Sequence, residues 1–257
     1  MRFATAPALV VAGALAIGAG PAAAHVSSSV GDNNRYLKLT PLGDRVRLAY
    51  TVFYGKIPGF ELRRSIDANH DGKIDDAESQ AFGAKVAREL AAALEVIVDG
   101  APRPVAWSEV VVGMGTADTV GGAFSLDLVA SLCLGTPRGK HVLELRDRYA
   151  LARPGETEIR FEDSPGVTVD RARVGDDPYP GIDYKIVGPT PALGTAGPAG
   201  GIELAFTAGD KAVVGSDAAC EDAAPRRGLP VGVTVGAAAV IGLLLAGAVT
   251  IARRRRR

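Results

Sequence analysis

Asp67, Asn69, Asp71, Asp75 and Glu78 place side-chain oxygens at the first, third, fifth, ninth and twelfth positions of the run DANHDGKIDDAE. Oxygen-only donor sets suit hard divalent cations. Calcium takes six to eight such donors at about 2.3–2.6 Å, and a twelve-residue loop can wrap them round one ion. Gly72, at the sixth position, allows the sharp turn that a side chain would resist. Lys73, at the seventh, contributes its backbone carbonyl, which leaves its charge free to point outward. Ile74, at the eighth, is the apolar residue that packs such a loop against its neighbour. Glu78 closes the set with a carboxylate able to offer both oxygens.

The spacing matches D-x-[DN]-x-[DN]-G-x5-E throughout and resembles the EF-hand loop. A loop of this kind needs a helix on each side. Upstream, Phe60, Leu62 and Ile66 lie close to helical spacing, and Pro58 is acceptable in a first turn, where its missing N–H is not needed. Downstream, Phe82, Val86, Leu90 and Leu94 recur every four residues in an Ala- and Leu-rich stretch, one face of an amphipathic helix. The insertion spans 57–95. No second loop of this spacing occurs, and VGDDPYPGID lacks both the ligand pattern and the closing Glu. Sensor hands work in pairs, so a lone hand favours a structural or weak site. Extracellular modules of this type bind calcium with Kd on the order of 10⁻⁴–10⁻³ M.

Strand signals dominate around the insertion. RYLKLTP and DRVRLAYTVFY alternate apolar with polar residues across a Gly-Asp turn and read as a hairpin. Eight further short segments follow the second helix, from VIVDG to GIELAFTA, most bounded by Gly, Pro or Asp. The expected fold is mainly β, an antiparallel β-sandwich with the helix–loop–helix inserted between its second and third strands. GPTPALGTAGPAGG, 188–201, reads as a flexible low-complexity loop.

Both ends carry export and membrane signals. Arg2, the apolar run ALVVAGALAIGAG and the small residues of PAAAH read as a signal peptide over 1–24, cut after Ala24. The extracytoplasmic domain then covers 25–215, with a stalk at 216–228. From Leu229 to Ala252 the chain has 24 residues without a charge, enough to cross a bilayer. Arg253 to Arg257 follow and place the tail inside, the bulk of the chain outside. This locates the protein in a bacterial cell envelope as a single-pass membrane protein. A processed sorting tail is the other reading of such an ending, although GLPVG shares only two letters with the LPxTG motif.

Charge sums to zero over the 257 residues, which conceals an asymmetry. Setting aside Arg2 and the five tail arginines leaves 23 basic residues against 29 acidic ones, a net of −6. That argues against nucleic acid, which needs a basic patch. Nothing resembles a nucleophile elbow, a P-loop or an HExxH helix, so no enzyme is expected. Cys133 and Cys220 could form one disulfide in an oxidising compartment. Cys133 also lies in the apolar run AFSLDLVASLCLG, where a buried free thiol is equally natural. His70 holds a non-ligand position facing solvent, and His141 starts a strand in a structural role. His25 would gain a free amine on signal cleavage, and amine plus imidazole can chelate copper or nickel.

His25, the hairpin running into Ile57, Pro58 and Phe60, and the loop from Asp67 to Glu78 together resemble the extracytoplasmic N-terminal domain of bacterial nickel/cobalt exporter-like proteins. The resemblance covers roughly residues 25–110. That family's multi-helix transport unit has no counterpart here, where a single span stands, so what carries over is an accessory domain near metal handling. The expected function is a membrane-anchored extracytoplasmic calcium-binding protein. Its calcium clamps the insertion to the β domain or orders a surface for a protein partner. The alternative is an accessory protein of nickel, cobalt or copper handling that uses His25.

Overall fold

The computed structural model describes residues 29–175, 177–179, 184–187, 201–215 and Cys220. The expected signal peptide, His25, most of the 188–201 stretch, the stalk apart from Cys220, the 229–252 span and the arginine tail lie outside these residues. Among the described residues no helix is long and apolar enough to cross a membrane.

The chain opens with the expected hairpin, β1 (Asn33–Pro41) and β2 (Arg45–Tyr54). Alternation sets its two faces: Leu37, Leu39, Val46, Leu48, Tyr50 and Val52 are all fully buried. Two helices follow, α1 (Lys56–Ile66) and α2 (Asp76–Ala93), and α2 passes directly into β3 (Leu94–Val98). The rest is strand: β4 (Ala101–Arg103), β5 (Trp107–Gly113), β6 (Phe124–Cys133), β7 (Gly139–Asp147), β8 (Pro154–Phe161), β9 (Val167–Val174), β10 (Asp177–Tyr179), β11 (Tyr184–Val187) and β12 (Ile202–Ala208). The helix–loop–helix therefore interrupts the chain between the second and third strands.

The protein is mainly β, with two six-stranded sheets ordered β11-β8-β1-β2-β6-β5 and β10-β9-β12-β7-β3-β4. Their apolar faces share one core, with Leu126, Leu128 and Leu132 from one sheet and Leu143, Leu145, Leu204 and Phe206 from the other. One pairing corrects the all-antiparallel expectation: β8 runs parallel to β1. More than a hundred residues separate the two strands, so no tight turn forces them antiparallel. Asn33 fixes the start of that pair, donating to the Ala152 carbonyl at 2.7 Å and accepting from the Gly55 N–H at 3.0 Å.

Charge inside the core is neutralised locally. Arg35 and Asp147, both fully buried, meet at 2.5 Å, and the Tyr50 hydroxyl donates to the same carboxylate oxygen at 2.7 Å. The other Asp147 oxygen accepts from the Tyr149 N–H at 2.9 Å. Burial, and then the Asp147 charge, push the Tyr50 phenol well above its ordinary pKa.

Cys133 and Cys220 form a disulfide with Cα atoms 5.4 Å apart. Alternation along β6 decides between the two fates left open for Cys133. The strand buries Phe124, Leu126, Leu128, Ala130 and Leu132, which turns Cys133 to the half-exposed face. It is not a core thiol.

Candidate metal centre

The loop begins where α1 ends. Asp67 caps the helix through its N–H to the Arg63 carbonyl at 3.1 Å and is only 5% exposed. Its carboxylate turns back into the loop: Oδ1 accepts from the Asp71 N–H at 3.2 Å, and Oδ2 from the Gly72 N–H at 3.0 Å. Asn69 Oδ1 accepts from the same Asp71 N–H at 2.9 Å, and Asp71 Oδ1 from the Lys73 N–H at 2.8 Å. His70 and Gly72 adopt left-handed backbone with φ of 59° and 84°. This is the tight turn that the glycine anticipates, and His70 is one of the few side chains that tolerates it. His70 is exposed, as expected.

The far side of the loop is the start of α2. Asp75 is its N-cap, accepting from the Glu78 N–H at 2.8 Å, while Glu78 Oε2 accepts from the Asp75 N–H at 3.1 Å. This capping box satisfies two otherwise orphaned donors and gives both residues a structural use independent of any ion. Its D-x-x-E signature was legible beside the ligand spacing. Glu78 does more, because Oε1 reaches across the loop to the N–H groups of Ala68 at 2.8 Å and Asn69 at 3.2 Å. The twelfth position thus ties the two sides together.

Lys73 is placed by a segment 45 residues away. It forms an antiparallel bridge with Asp118, flanked by Ile74 N–H to Ala117 O at 2.7 Å and Thr119 N–H to Gly72 O at 3.1 Å. Backbone groups alternate sides along an extended chain, so these outward bonds turn the Lys73 N–H and carbonyl the other way, into the loop. The N–H indeed meets Asp71 there. Ile74, 5% exposed, packs into the core as its position requires. The loop between β5 and β6 therefore takes the place that a second hand would occupy.

Arg63 holds that β5–β6 loop against α1. Fully buried, it donates to the carbonyls of Gly122 at 3.1 Å, Thr116 at 2.8 Å, Asp118 at 3.2 Å and Met114, with its guanidinium 5.3 Å from the Phe124 ring centre. Burial lowers its pKa, and the nearby Asp118 charge works against that shift. Nothing in the sequence marks this role, since an arginine in a helix ordinarily reads as solvent-facing. Gly59 permits the close approach, as a Cβ there would stand 2.7 Å from the Gly122 carbonyl oxygen.

The flanking helices depart from expectation at one point. Ile66, Val86, Leu90 and Leu94 are buried and Leu62 and Phe82 pack beside the core, but Phe60 is 39% exposed and faces away from it. Phe60 instead borders a groove of about 580 Å³ with Arg64, Asp67, His70, Gly72 and Thr119. The groove gives the loop an open path to solvent. His141 is structural: buried, it meets Asp99 at 2.8 Å and the Arg138 carbonyl at 3.0 Å.

The donor chemistry fits a hard cation. Asp67, Asn69, Asp71, Asp75 and Glu78 supply only oxygens, the Lys73 carbonyl faces inward, and none of the four carboxylates makes an ion pair with Lys or Arg among the described residues. The side chains as placed are held on backbone N–H groups, and among the described residues no set of three or more His, Cys, Asp and Glu converges closely enough to grip an ion. Glu78 departs furthest, with both oxygens on N–H groups at the rim. No protein-family model and no curated protein matches the chain.

Proposed function

We propose that this is a calcium-binding protein of the cell envelope, anchored by its 229–252 span, in which an EF-hand inserted into a β-sandwich holds one ion. Asp67, Asn69, Asp71 and Asp75 supply side-chain oxygens, Lys73 its carbonyl, and Glu78 closes the site. Bound calcium supplies positive charge to a ligand set of four carboxylates, none of which pairs with Lys or Arg among the described residues. The buried carboxylate of Asp67 carries the reading. A buried charge without a partner is costly, and here only two N–H groups stand against it. The ion's role is structural. It couples α1 and α2 to the β5–β6 loop through Lys73, Ile74 and Thr119, so that calcium orders the 114–122 segment together with the hand.

Titration calorimetry on two variants tests the ligand assignment. Glu78→Gln removes the charge of the closing ligand and should weaken calcium binding about tenfold or more, since ligand charge count tunes the affinity of such loops. Lys73→Ala keeps the carbonyl and should leave affinity unchanged. Equal affinities for the two variants would sink the assignment.

A further inference from the structure

The end of the domain that carries the hand also carries an amphipathic patch without a partner. Ile57 and Phe60 on α1 are 48% and 39% exposed, Val30 beside them is 64% exposed, and Val120 on the β5–β6 loop is 78% exposed. Val30 joins α1 directly, its carbonyl accepting the Ile57 N–H at 2.9 Å. Lys56 and Arg64 stand on the same exposed side of α1, and neither makes an ion pair among the described residues. Arg64 lies only against the Phe60 ring. Apolar groups mixed with free cations suit either an anionic lipid surface or an acidic protein face.

The disulfide decides between them. β6 begins at Phe124, beside Arg63 and the hand, and ends at Cys133, which holds Cys220. The chain's last described stretch reaches the same far end: Gly43 donates to the Val213 carbonyl at 2.7 Å, and the Gly215 N–H meets Asp44 at 3.0 Å. Lys56 packs against Gly122, two residues before Phe124, so the patch lies past the start of the strand. Nine steps of chain separate Cys220 from Leu229, the same number that separate Cys133 from Phe124. Fully stretched they span only the strand's own length, about 30 Å, and as a relaxed coil about 15–18 Å. Without the disulfide the tether would begin at Gly215 and reach about 46–50 Å.

We propose, resting on the membrane-anchor reading above, that the Cys133–Cys220 disulfide keeps the hand at the membrane-distal end, where Val30, Lys56, Ile57, Phe60, Arg64 and Val120 form the docking surface for an acidic, apolar-faced protein. At the relaxed length of this tether the lipid surface is out of reach. The hand adjoins this surface, because the loop that carries Val120 is the one paired with Gly72 and Ile74.

The test uses the full chain in vesicles containing phosphatidylglycerol and a headgroup acceptor dye, with a donor dye on Ile57→Cys or on Asp210→Cys at the far end. Energy transfer should be strong from position 210 and weak from position 57. It should rise at position 57 in the Cys133→Ser/Cys220→Ser background. Strong transfer from position 57 with the disulfide intact would assign the patch to lipid and overturn the proposal. The partner's chemistry is read with a labelled Leu/Glu amphipathic peptide and its Leu/Lys counterpart. The acidic peptide should bind about tenfold better, and Lys56→Glu/Arg64→Glu should reverse that order. Indifference to both changes would overturn the docking surface. Failure of the chain to enter vesicles would overturn only the anchor on which the membrane argument rests, and the peptide measurement on protein in solution would still decide the patch.

Discussion

Asp147 and Asp67 are both buried carboxylates, 0% and 5% exposed, and the molecule treats them in opposite ways. Asp147 has its cation built in: Arg35 at 2.5 Å, with the Tyr50 hydroxyl and the Tyr149 N–H as further donors. Asp67 has two backbone N–H groups and no cation, and the exposed carboxylates of Asp71, Asp75 and Glu78 nearby are likewise held on N–H groups without a cation. A pair that is complete in the chain contributes the same with or without a divalent cation in solution. A cluster that lacks its counter-charge makes local stability depend on what the solution supplies. The two regions therefore separate a fixed interior from a conditional edge.

The largest expected effect lies in the fixed region. Asp147→Ala leaves the Arg35 guanidinium buried without its counter-charge and should cost about 3–5 kcal/mol. Urea unfolding in EDTA and in calcium should give the same loss. A loss that vanished in calcium would erase the distinction between the regions. Arg63→Leu comes next, because it strands carbonyls of Met114, Thr116, Asp118 and Gly122. A cost of about 2–4 kcal/mol is expected from those unsatisfied acceptors. Unlike Asp147→Ala, it should also weaken calcium binding, since Arg63 holds the loop against which Gly72 and Ile74 pair. Calorimetry showing wild-type affinity in Arg63→Leu would break that coupling.

The smallest effect concerns the end of the domain far from the hand. Burial acts to raise the Asp44 pKa. The Arg45 hydrogen bond, the Gly215 N–H and the Arg45 charge outweigh it, and hold the carboxyl below its ordinary value of 3.8. A depressed carboxyl stabilises the fold above that ordinary value and loses its contribution as pH falls through the lower, folded value. Melting temperature followed downward from about pH 5 should therefore fall slightly more steeply in wild type than in Asp44→Asn. Parallel curves would remove Asp44 from the contacts that hold Gly215.

Local patterns made part of this legible in the sequence. The β1–β2 hairpin, the helix–loop–helix and the loop's own turn at Gly72 all follow from spacings of a few residues, which the chain states directly. Pairings across long distances left no such trace. β8 lies parallel to β1 without a local turn to announce it, and Ala117 to Thr119 serve as the loop's β partner with no resemblance to a second hand. Cys133 looked equally suited to core or disulfide until the alternation of β6 assigned it a face. Phe60 was misjudged and Arg63 passed unremarked for one reason: helical spacing gives the faces of α1 but not which face meets the protein. The β5–β6 loop covers the side bearing Arg63, so the cation is buried and the aromatic ring left outside.

Asp67→Asn tests the central claim most directly, because it removes charge from the conditional region without changing shape. Thermal unfolding of wild type and variant is compared in EDTA and in calcium at a hundredfold excess over Kd, where a ligand of the folded state contributes about 2.7 kcal/mol. Calcium is expected to raise the wild-type midpoint and leave the variant's unmoved. In EDTA the change should be small, because the relief of one negative charge is offset by an amide NH2 set against one of the two N–H groups that the carboxylate accepted. A wild-type midpoint indifferent to calcium, or a variant destabilised equally in both solutions, would contradict the account.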